Sequence, residues 1–435
     1  MIRWAERFIA TPSVSTDGNL AIAEQAAILL QELGFAPRIE MTLHEGVEQA
    51  NVVAEAGRGE DPGVLLLTHL DTVPPGDHAA WTATGGDPFR PTREGDKLFG
   101  LGSADAKVDF VCKAFALASL EPDCLKRRVR IAGTFGEEIG LLGTRYLLLS
   151  EGTKGFGYAL VSEPSELSCV HAHKGYKAVQ VRIPLIENTL PKRVTVTRHV
   201  FTGVAAHSST PHLGINAIEA ALESVAHGDI FGIRNLQGGR ARNQVPDQCS
   251  MEIVTPSGEE GTVSDAPSYA VEPLVNFHAT WKHFLTLLTG AFDEEFDPAC
   301  SVASLNLVSI ENGEARMTFD LRTLPGFNAE EFTGMLDAVG RVSVLHADPP
   351  MESDKDGFLV RAVLRAQDKV GWRAGLATKS TCTEGGILSA AGIETVVMGP
   401  GLSRGNVHKP NEHTLVSQLG TARDLYAEIL RILAC

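Results

Sequence analysis

The sequence has no long apolar run and comparatively few basic residues, and each shortage excludes a class of protein. No apolar segment approaches the ~20 residues that a membrane-spanning helix needs. Acidic residues outnumber basic ones by 54 to 38, so the formal charge of −16 argues against binding to nucleic acid or to an anionic membrane surface. We therefore expect neither a nucleic acid nor a membrane as a partner.

Cysteines are also scarce. The chain has 7, an odd number, and they are scattered without a Cys-x-x-Cys pair. This pattern predicts reduced thiols in a reducing compartment. The segment 1–7 lacks the apolar core and the cleavage site of a signal peptide. Together these absences predict a cytoplasmic protein.

The 435 residues exceed the usual size of one domain, and the periodicity of the sequence predicts two. Alternating strands and helices up to about residue 176 indicate an α/β sheet that is covered on both faces. From residue 177 the pattern changes to strands with polar alternation and two helices, which predicts a smaller inserted α+β domain. The predicted strands are 51–55, 64–68, 129–135, 158–162, 176–183, 194–201, 317–323 and 395–398, and the predicted helices are 20–33, 108–120, 216–227, 328–340, 358–370 and 415–433.

The predicted boundaries are therefore 1–176 with 352–435 for the first domain and 177–351 for the inserted one. The stretch 255–302 has no clear place in this scheme. It opens with a loop composition at 256–261 and then has helical periodicity over 271–290.

Five separated clusters of acidic and histidine residues match the needs of a two-metal site. Two divalent ions roughly 3.5–4 Å apart need a histidine and a carboxylate each, plus one bridging carboxylate. Three of the clusters directly follow predicted strands, where sites form in α/β sheets. The clusters are His69 with Asp71, Asp105, the pair Glu137 and Glu138, Glu163, and His408.

Each cluster alone also has a simpler interpretation. Asp105 precedes a helix and is a good N-cap residue, and His408 lies in a loop where a surface histidine is common. Adjacent carboxylates such as Glu137 and Glu138 could sit in a solvated turn, but at a buried strand end they would need a cation. In that case Glu138 binds the metal and Glu137 takes a proton from water. The joint occurrence of all five favours the metal site.

Several short segments carry a resemblance to a known family. The chain resembles the zinc-dependent aminoacylase/carboxypeptidase metallopeptidase family, and within it the acetylornithine deacetylase branch. Cys-Thr-Glu at 382–384 is the most discriminating segment, because desuccinylases of the family usually have Ser-Asp-Gly there. The similar segments are 68–74, 97–105, 162–165, 173–175, 206–209, 382–384 and 399–401.

The resemblance implies roles for the clustered residues. His69 and Glu163 would bind one zinc ion, Glu138 and His408 the other, and Asp105 would bridge the two. Glu137 would be the general base, and Asp71 would orient its histidine neighbour. The family often has a cis peptide bond after the bridging aspartate, so the resemblance implies one between residues 105 and 106. Oxygen and nitrogen ligands specify the metal loosely, so cobalt or manganese could replace zinc.

The resemblance also implies substrate contacts. His207 of a neighbouring subunit would stabilise the tetrahedral oxyanion. Arg322 and Asn243 would contact the substrate carboxylate, and Gly399 would lie in the substrate site. Glu384 could pair with the amine of an ornithine side chain or hydrogen-bond to citrulline.

The sequence departs from the family pattern in three places. Asn243 and Arg322 lie much farther apart than the corresponding elements of relatives, which indicates an interrupted or reordered strand pair. Lys107 is followed by Val108 and Asp109, where relatives usually have two glycines. Glu384 is followed by two glycines rather than by the Ala-Pro that is common in bacterial acetylornithine deacetylases.

These observations predict a metal-dependent amidohydrolase that removes an acyl group, with acetyl favoured, from the α-nitrogen of an amino acid. The branch implies N-acetylornithine deacetylation in arginine biosynthesis, by a homodimer formed through the inserted domain. A dipeptidase, a carboxypeptidase or a succinyl-diaminopimelate desuccinylase-like enzyme uses the same kind of site. A non-catalytic binding protein on the same scaffold is the alternative from another class.

Overall fold

The chain crosses between two structural units near residues 173 and 350. The computed structural model describes residues 1–57, 59–150, 152–189, 193–228, 230–256 and 267–435. The first unit comprises Met1–His173, Met351–Thr378 and Cys382–Cys435. The inserted unit comprises Lys174–Pro350 and Lys379–Thr381. The first crossover lies slightly before the predicted position of 177, because the first strand of the inserted unit already begins at Gly175.

The strands and helices are numbered here in chain order. The strands are β1 Arg38–His44, β2 Val47–Ala56, β3 Glu60–His69, β4 Thr92–Glu94, β5 Lys97–Phe99, β6 Arg127–Thr134, β7 Phe156–Val161, β8 Cys169–His173, β9 Gly175–Pro184, β10 Val194–Thr202, β11 Gly232–Gly238, β12 Gln248–Pro256, β13 Val302–Glu311, β14 Glu314–Thr323, β15 Arg341–Asp348, β16 Met351–Glu352, β17 Leu376–Lys379, β18 Glu394–Val397 and β19 His413–Leu415. The helices are α1 Ile2–Ile9, α2 Leu20–Glu32, α3 Lys107–Ala118, α4 Leu142–Leu149, α5 Ala217–His227, α6 Glu272–Leu288, α7 Ala329–Gly334, α8 Phe358–Val370, α9 Glu384–Ala390 and α10 Val416–Ala434.

A mixed sheet forms the centre of the first unit. Its strand order is β1-β2-β6-β3-β7-β18-β8-β16, with β17 paired to β8. The four strands β6, β3, β7 and β18 are parallel to one another. The carboxyl ends of these four strands therefore meet at one edge of the sheet, where α/β proteins bind their ligands.

The apolar run in β3 shows why this sheet is covered on both faces. Successive side chains of a strand point to opposite faces. Val64 and Leu66 pack into a core with α2, α3, α8 and α10, whereas Leu65 and Leu67 pack into a second core with α4 and α9. The predicted fold class of a mixed sheet flanked by helices is confirmed. Within the described residues, no helix combines the length and apolarity that crossing a bilayer requires.

The inserted unit is built on an antiparallel sheet with strand order β10-β12-β11-β13-β14-β9-β15. Its core joins α5 and α6 to this sheet, and the aromatic residues Trp281 and Phe284 of α6 pack against Phe319 of β14 at steep ring angles. The stretch 255–302 thus supplies a core helix, while its residues 257–266 lie outside the described residues. The predicted helix 328–340 is shorter than expected: α7 ends at Gly334, a poor helix former, and a 3₁₀ turn follows.

The expectation that all cysteines are reduced thiols is wrong for one pair. Cys124 and Cys435 form a disulfide, although 311 residues separate them in the sequence. The fold brings them together because the end of α10 returns to the start of β6, where the Lys126 amide donates to the Ala434 carbonyl at 2.8 Å. The other five cysteines lie outside this disulfide.

This disulfide leads to a first prediction. Titration of the denatured, unreduced protein should find the five thiols outside the disulfide and, after reduction, all 7. Because the bond closes a long loop, its removal should cost about 2–4 kcal/mol and lower the melting temperature. The melting temperature of Cys435→Ser should equal that of the reduced wild-type protein, and adding reductant should not change it. Detection of all 7 thiols before reduction would contradict the disulfide between Cys124 and Cys435.

Candidate metal centre

The predicted metal ligands lie at the edge of the first sheet where the parallel strands end. His69 is the last residue of β3. Glu137 and Glu138 follow β6 after a turn at Gly136, whose φ of 62° favours glycine. Glu163 comes just after the end of β7 at Val161. Strand ends therefore bring together residues that are far apart in the sequence.

Two loops complete the group. Asp105 lies directly before α3, and its peptide bond to Ala106 is cis, as the family resemblance implies. His408 lies in the loop between β18 and β19, with a left-handed backbone at φ 57°. Both residues reach the strand edge, because His408 Nε2 lies 3.0 Å from Glu138 Oε1 and 3.2 Å from Asp105 Oδ2.

The ligands form two groups that share one carboxylate. His69, Asp105 and Glu163 can each offer a ligand atom to one ion, and Asp105, Glu138 and His408 to another, with the atoms of each group within 4.8 Å of one another. His69 Nε2 lies 3.1 Å from Asp105 Oδ1, so the two oxygens of Asp105 face different histidines. This is the geometry that a bridging carboxylate requires.

Asp71 connects the ligands to the adjacent turn. Its carbonyl and carboxylate lie 3.2 and 3.7 Å from His69 Nδ1, the ring nitrogen that faces away from Asp105. Its carboxylate also accepts from Ser15 Oγ at 2.6 Å and from the amides of Glu137 and Glu138 at 3.1 and 3.3 Å. The buried carboxylate of Asp71 therefore orients His69, as partners of metal-binding histidines commonly do. It also fixes the turn that bears Glu137 and Glu138.

The electrostatics of this edge fit divalent cations. Burial raises the pKa of Glu137 well above its usual range; His69 opposes this shift, while the charges of Glu138 and Glu163 add to it. Asp105, Glu137, Glu138 and Glu163 would together carry four negative charges, which two divalent cations would balance. Since buried like charges are costly without such compensation, the donor set fits a pair of cations.

Glu412 is a part of the site that the sequence analysis missed. Its Oε1 accepts from the amides of Ala104 and Asp105 at 2.8 and 3.1 Å, which fixes the loop that presents the shared carboxylate. Burial raises the pKa of Glu412 to about 7. Its position four residues after His408 was a possible signal, but a glutamate in a polar loop gives no indication that it binds backbone amides.

Gly399 was predicted to lie in the substrate site, and the structure places it against a predicted metal ligand, Glu163. A Cβ at this position would lie 2.7 Å from the carbonyl oxygen of Glu163. The Gly399 carbonyl also accepts from the Leu167 amide at 2.9 Å. The glycine therefore allows the chain after β18 to pass close to the backbone of Glu163.

Gly399→Ala should consequently displace Glu163 and weaken metal binding by about 10–100-fold, the usual effect of disturbing a ligand's support. Competition against a chelator measures this change. Gly420→Ala is a matched control, because a Cβ at position 420 meets no atom within 4 Å. Equal metal affinity of the two variants would contradict the assigned role of Gly399.

Glu384 is enclosed in the first unit. It begins α9 and is only 1% exposed. Its Oε1 accepts from the hydroxyls of Thr134 and Thr144 at 2.7 and 2.6 Å, and burial raises its pKa to about 7. These contacts hold Oε1 within its own unit and do not favour the predicted pairing of Glu384 with an ornithine amine, which stays a prediction.

In the inserted unit, hydrogen bonds connect the segments of Asn243 and Arg322. The Ser208 amide donates to the Asn243 carbonyl at 3.0 Å, and the Ser208 hydroxyl donates to Asp320. Asp320 in turn binds Arg322 through two hydrogen bonds of 2.8 and 3.1 Å. The unusual sequence spacing thus reflects the insertion of α6 and its neighbouring strands, which leaves the two segments linked. Binding of a substrate carboxylate by Asn243 and Arg322 stays a prediction.

His207 lies on the exposed surface of the inserted unit. Its Nδ1 accepts from the Ser209 amide at 3.1 Å, so a neutral imidazole carries its proton on Nε2. Nε2 is then the hydrogen-bond donor of the ring. This tautomer suits the predicted interaction with an oxyanion, which likewise stays a prediction.

Comparison with known proteins identifies the family. The sequence profile of peptidase family M20/M25/M40 matches residues 65–432. The chain belongs to this family. The match confirms the resemblance stated above and makes the chain an enzyme, a metal-dependent peptidase or amidohydrolase.

Individual relatives cover nearly the whole chain. Acetylornithine deacetylase of Photorhabdus laumondii is 28% identical over 443 residues, which cover 98% of this chain and 94% of the relative. Aminoacylhistidine dipeptidase from Vibrio alginolyticus has a TM-score of 0.70 at 17% identity, covering 98% of this chain and 95% of that one. An M20 family metallo-carboxypeptidase from Sulfolobus solfataricus has a TM-score of 0.63 at 17% identity, covering 99% and 98%. The two structures show that the fold is shared.

Proposed function

We propose that this M20/M25/M40 enzyme hydrolyses the amide bond of an N-acyl amino acid with the help of two metal ions. The observation that carries the proposal is the pair of ligand groups that share Asp105, with Glu137 beside them. Zinc is the proposed metal, and cobalt and manganese suit the same nitrogen and oxygen donors. When bound, the ions would polarise the substrate carbonyl and lower the pKa of water.

Glu137 is proposed as the general base. It takes a proton from the attacking water and returns it to the nitrogen of the leaving amine. A base works best when its pKa lies near the operating pH. Burial raises the pKa of Glu137 well above its usual range, so its carboxylate is a stronger base than that of an exposed glutamate. Asp71 holds the Glu137 amide and thereby sets the direction of the side chain.

N-acetylornithine is the first substrate candidate. The support comes from relatives named acetylornithine deacetylase, which align over nearly the full chain. Arg322 is proposed to bind the α-carboxylate, since its planar guanidinium matches a carboxylate with two hydrogen bonds. It lies with its Cζ 4.1 Å from the centre of the Tyr176 ring, a contact that limits its movement.

A dipeptide is the second candidate, and one observation favours it. The enclosed position of Glu384 does not favour it as a partner of the ornithine amine. A site without that partner would discriminate less between side chains and would accept a wider range of amides.

An activity screen of metal-loaded protein separates the candidates. Zinc-, cobalt- and manganese-loaded protein should be assayed with N-acetylornithine, N-acetylcitrulline, N-succinyl-diaminopimelate and a set of dipeptides. A kcat/KM for N-acetylornithine at least tenfold above all others would support deacetylation. A higher value for dipeptides would support the second candidate, and no hydrolysis of any amide by protein with bound metal would refute the proposed activity.

We also propose that two copies of the chain associate through the inserted unit. β10 is an edge strand of its sheet, so a second copy can pair with it around a two-fold axis. Next to it, Val204, Leu213 and Ile215 are 49, 56 and 58% exposed, and together they offer apolar surface that a second copy could cover. Ile215→Glu should produce monomers in sedimentation velocity, whereas Leu149→Glu, a change at an exposed residue of the first unit, should not. A wild-type monomer at micromolar concentration would contradict the dimer.

A further inference from the structure

A lysine is fully enclosed beneath the metal centre, at a position that the mechanism does not use. Lys113 of α3 has no exposed surface. Its Nζ donates to the carbonyls of Leu67 and Leu160 at 2.7 and 3.0 Å and to Ser162 Oγ at 2.6 Å. Leu67 lies near the end of β3 and Leu160 near the end of β7. One ammonium group therefore binds the ends of two neighbouring parallel strands.

An acidic partner on the same helix completes this arrangement. Asp109 Oδ2 lies 3.6 Å from Lys113 Nζ and accepts from Ser162 Oγ at 2.6 Å and from the Tyr426 hydroxyl at 2.7 Å. The Tyr426 hydroxyl lies 3.1 Å from the Met398 carbonyl, which directly follows β18. We call Asp109, Lys113, Ser162 and Tyr426 the buried network.

The buried network touches the chain directly beside three predicted metal ligands. Ser162 precedes Glu163, and Thr68, whose hydroxyl lies 2.7 Å from Ser162 Oγ, precedes His69. Asp109 and Lys113 lie on α3, the helix that begins just after Asp105. These three ligands form one of the two groups that can hold an ion.

We propose that Lys113, with Asp109, is a positioning element that sets the spacing of His69, Asp105 and Glu163 and thereby the metal affinity of that group. The inference deepens the proposed function and rests on it. Lys113 has no exposed surface, so it can act only through the strand ends that it binds.

Burial of the ion pair between Asp109 and Lys113 has an energetic cost, which determines the choice of variants for a test. Burial lowers the pKa of Lys113 to about 8, while the charge of Asp109 opposes the shift, so the amine still carries a proton at neutral pH. Removing one partner of a buried ion pair leaves the other charge uncompensated, whereas removing both is much less harmful. A double variant can therefore separate folding from metal positioning.

The test compares Lys113→Met, the double variant Asp109→Asn/Lys113→Met, and Ser162→Ala. The last removes only the hydroxyl that links the ion pair to the Glu163 segment, so it keeps the core folded. Zinc affinity is measured by chelator competition, the absorption spectrum of the cobalt-loaded protein reports ligand geometry, and thermal unfolding reports stability. Lys177→Met is the matched control, because Lys177 is 8% exposed and pairs with Glu330 at 2.6 Å in the inserted unit.

We expect the double variant to unfold near the wild-type temperature, yet to bind the zinc ion of the His69, Asp105 and Glu163 group about 10–100-fold less tightly and to give an altered cobalt spectrum. Ser162→Ala should show the same changes to a smaller extent, and Lys177→Met should show none. Wild-type zinc affinity and an unchanged cobalt spectrum in Ser162→Ala and in any folded double variant would overturn the inference. If the wild-type protein binds no metal, the proposed function itself fails instead.

Discussion

Glu137→Gln should bind metal as the wild type does and lose roughly 10²–10⁴-fold in kcat, the usual contribution of a general base. The amide keeps the shape of the side chain but cannot take a proton from water. Glu137 belongs to neither ligand group, so the substitution leaves both sets of donors intact. KM should change little, because the base acts mainly in the transition state.

The measurement is steady-state kinetics of protein whose metal content has been determined in the same sample. Glu48→Gln, at an exposed position of β2, is the control for a change of charge alone. If Glu137→Gln kept more than a tenth of the wild-type kcat, another residue would have to be the base. If it lost metal in proportion to activity, Glu137 would be a ligand.

Asp105→Ala should have an even larger effect, because it removes a ligand from both groups at once. Its two oxygens face His69 at 3.1 Å and His408 at 3.2 Å, so neither group keeps its three donors. We expect the variant to retain fewer than one metal ion per chain after dialysis and to lose activity almost completely. The wild type should retain about two, as the paired site requires.

Elemental analysis after dialysis measures the retained metal, and His408→Ala provides the comparison. His408 belongs to one group only, so its variant should lose one ion and keep the other. The two variants together distinguish a shared ligand from an ordinary one. Equal metal loss in both would mean that Asp105 does not bridge the two groups.

The metal centre could be anticipated from the sequence because each ligand has a local signal. His69 and Glu163 follow apolar strands, and the ends of parallel strands share one edge. The family resemblance then implied that Asp105, Glu138 and His408 are the other ligands. The predicted fold class followed from the same periodicity, since β3 is apolar throughout and strands alternate with helices.

The features that the sequence could not supply depend on contacts between distant segments. Gly399 was interpreted from its neighbours in the chain, but its role is set by the backbone of Glu163. Glu384 resembled a substrate contact, and only the positions of Thr134 and Thr144 show that it is enclosed. Lys113 had no signal at all, because a lysine in a predicted helix is ordinarily a surface residue.

The alternation of side chains in β3 restricts where this chain can change in length. Adding or deleting one residue within the strand would send Val64 and Leu66 to the opposite core and would rotate the imidazole at position 69 away from its partners. The turn at 45–46 between β1 and β2 is exposed and lies outside both cores, so a longer loop there would leave the alternation of β3 unchanged. A tag or sensor peptide spliced into this enzyme therefore belongs at that hairpin tip.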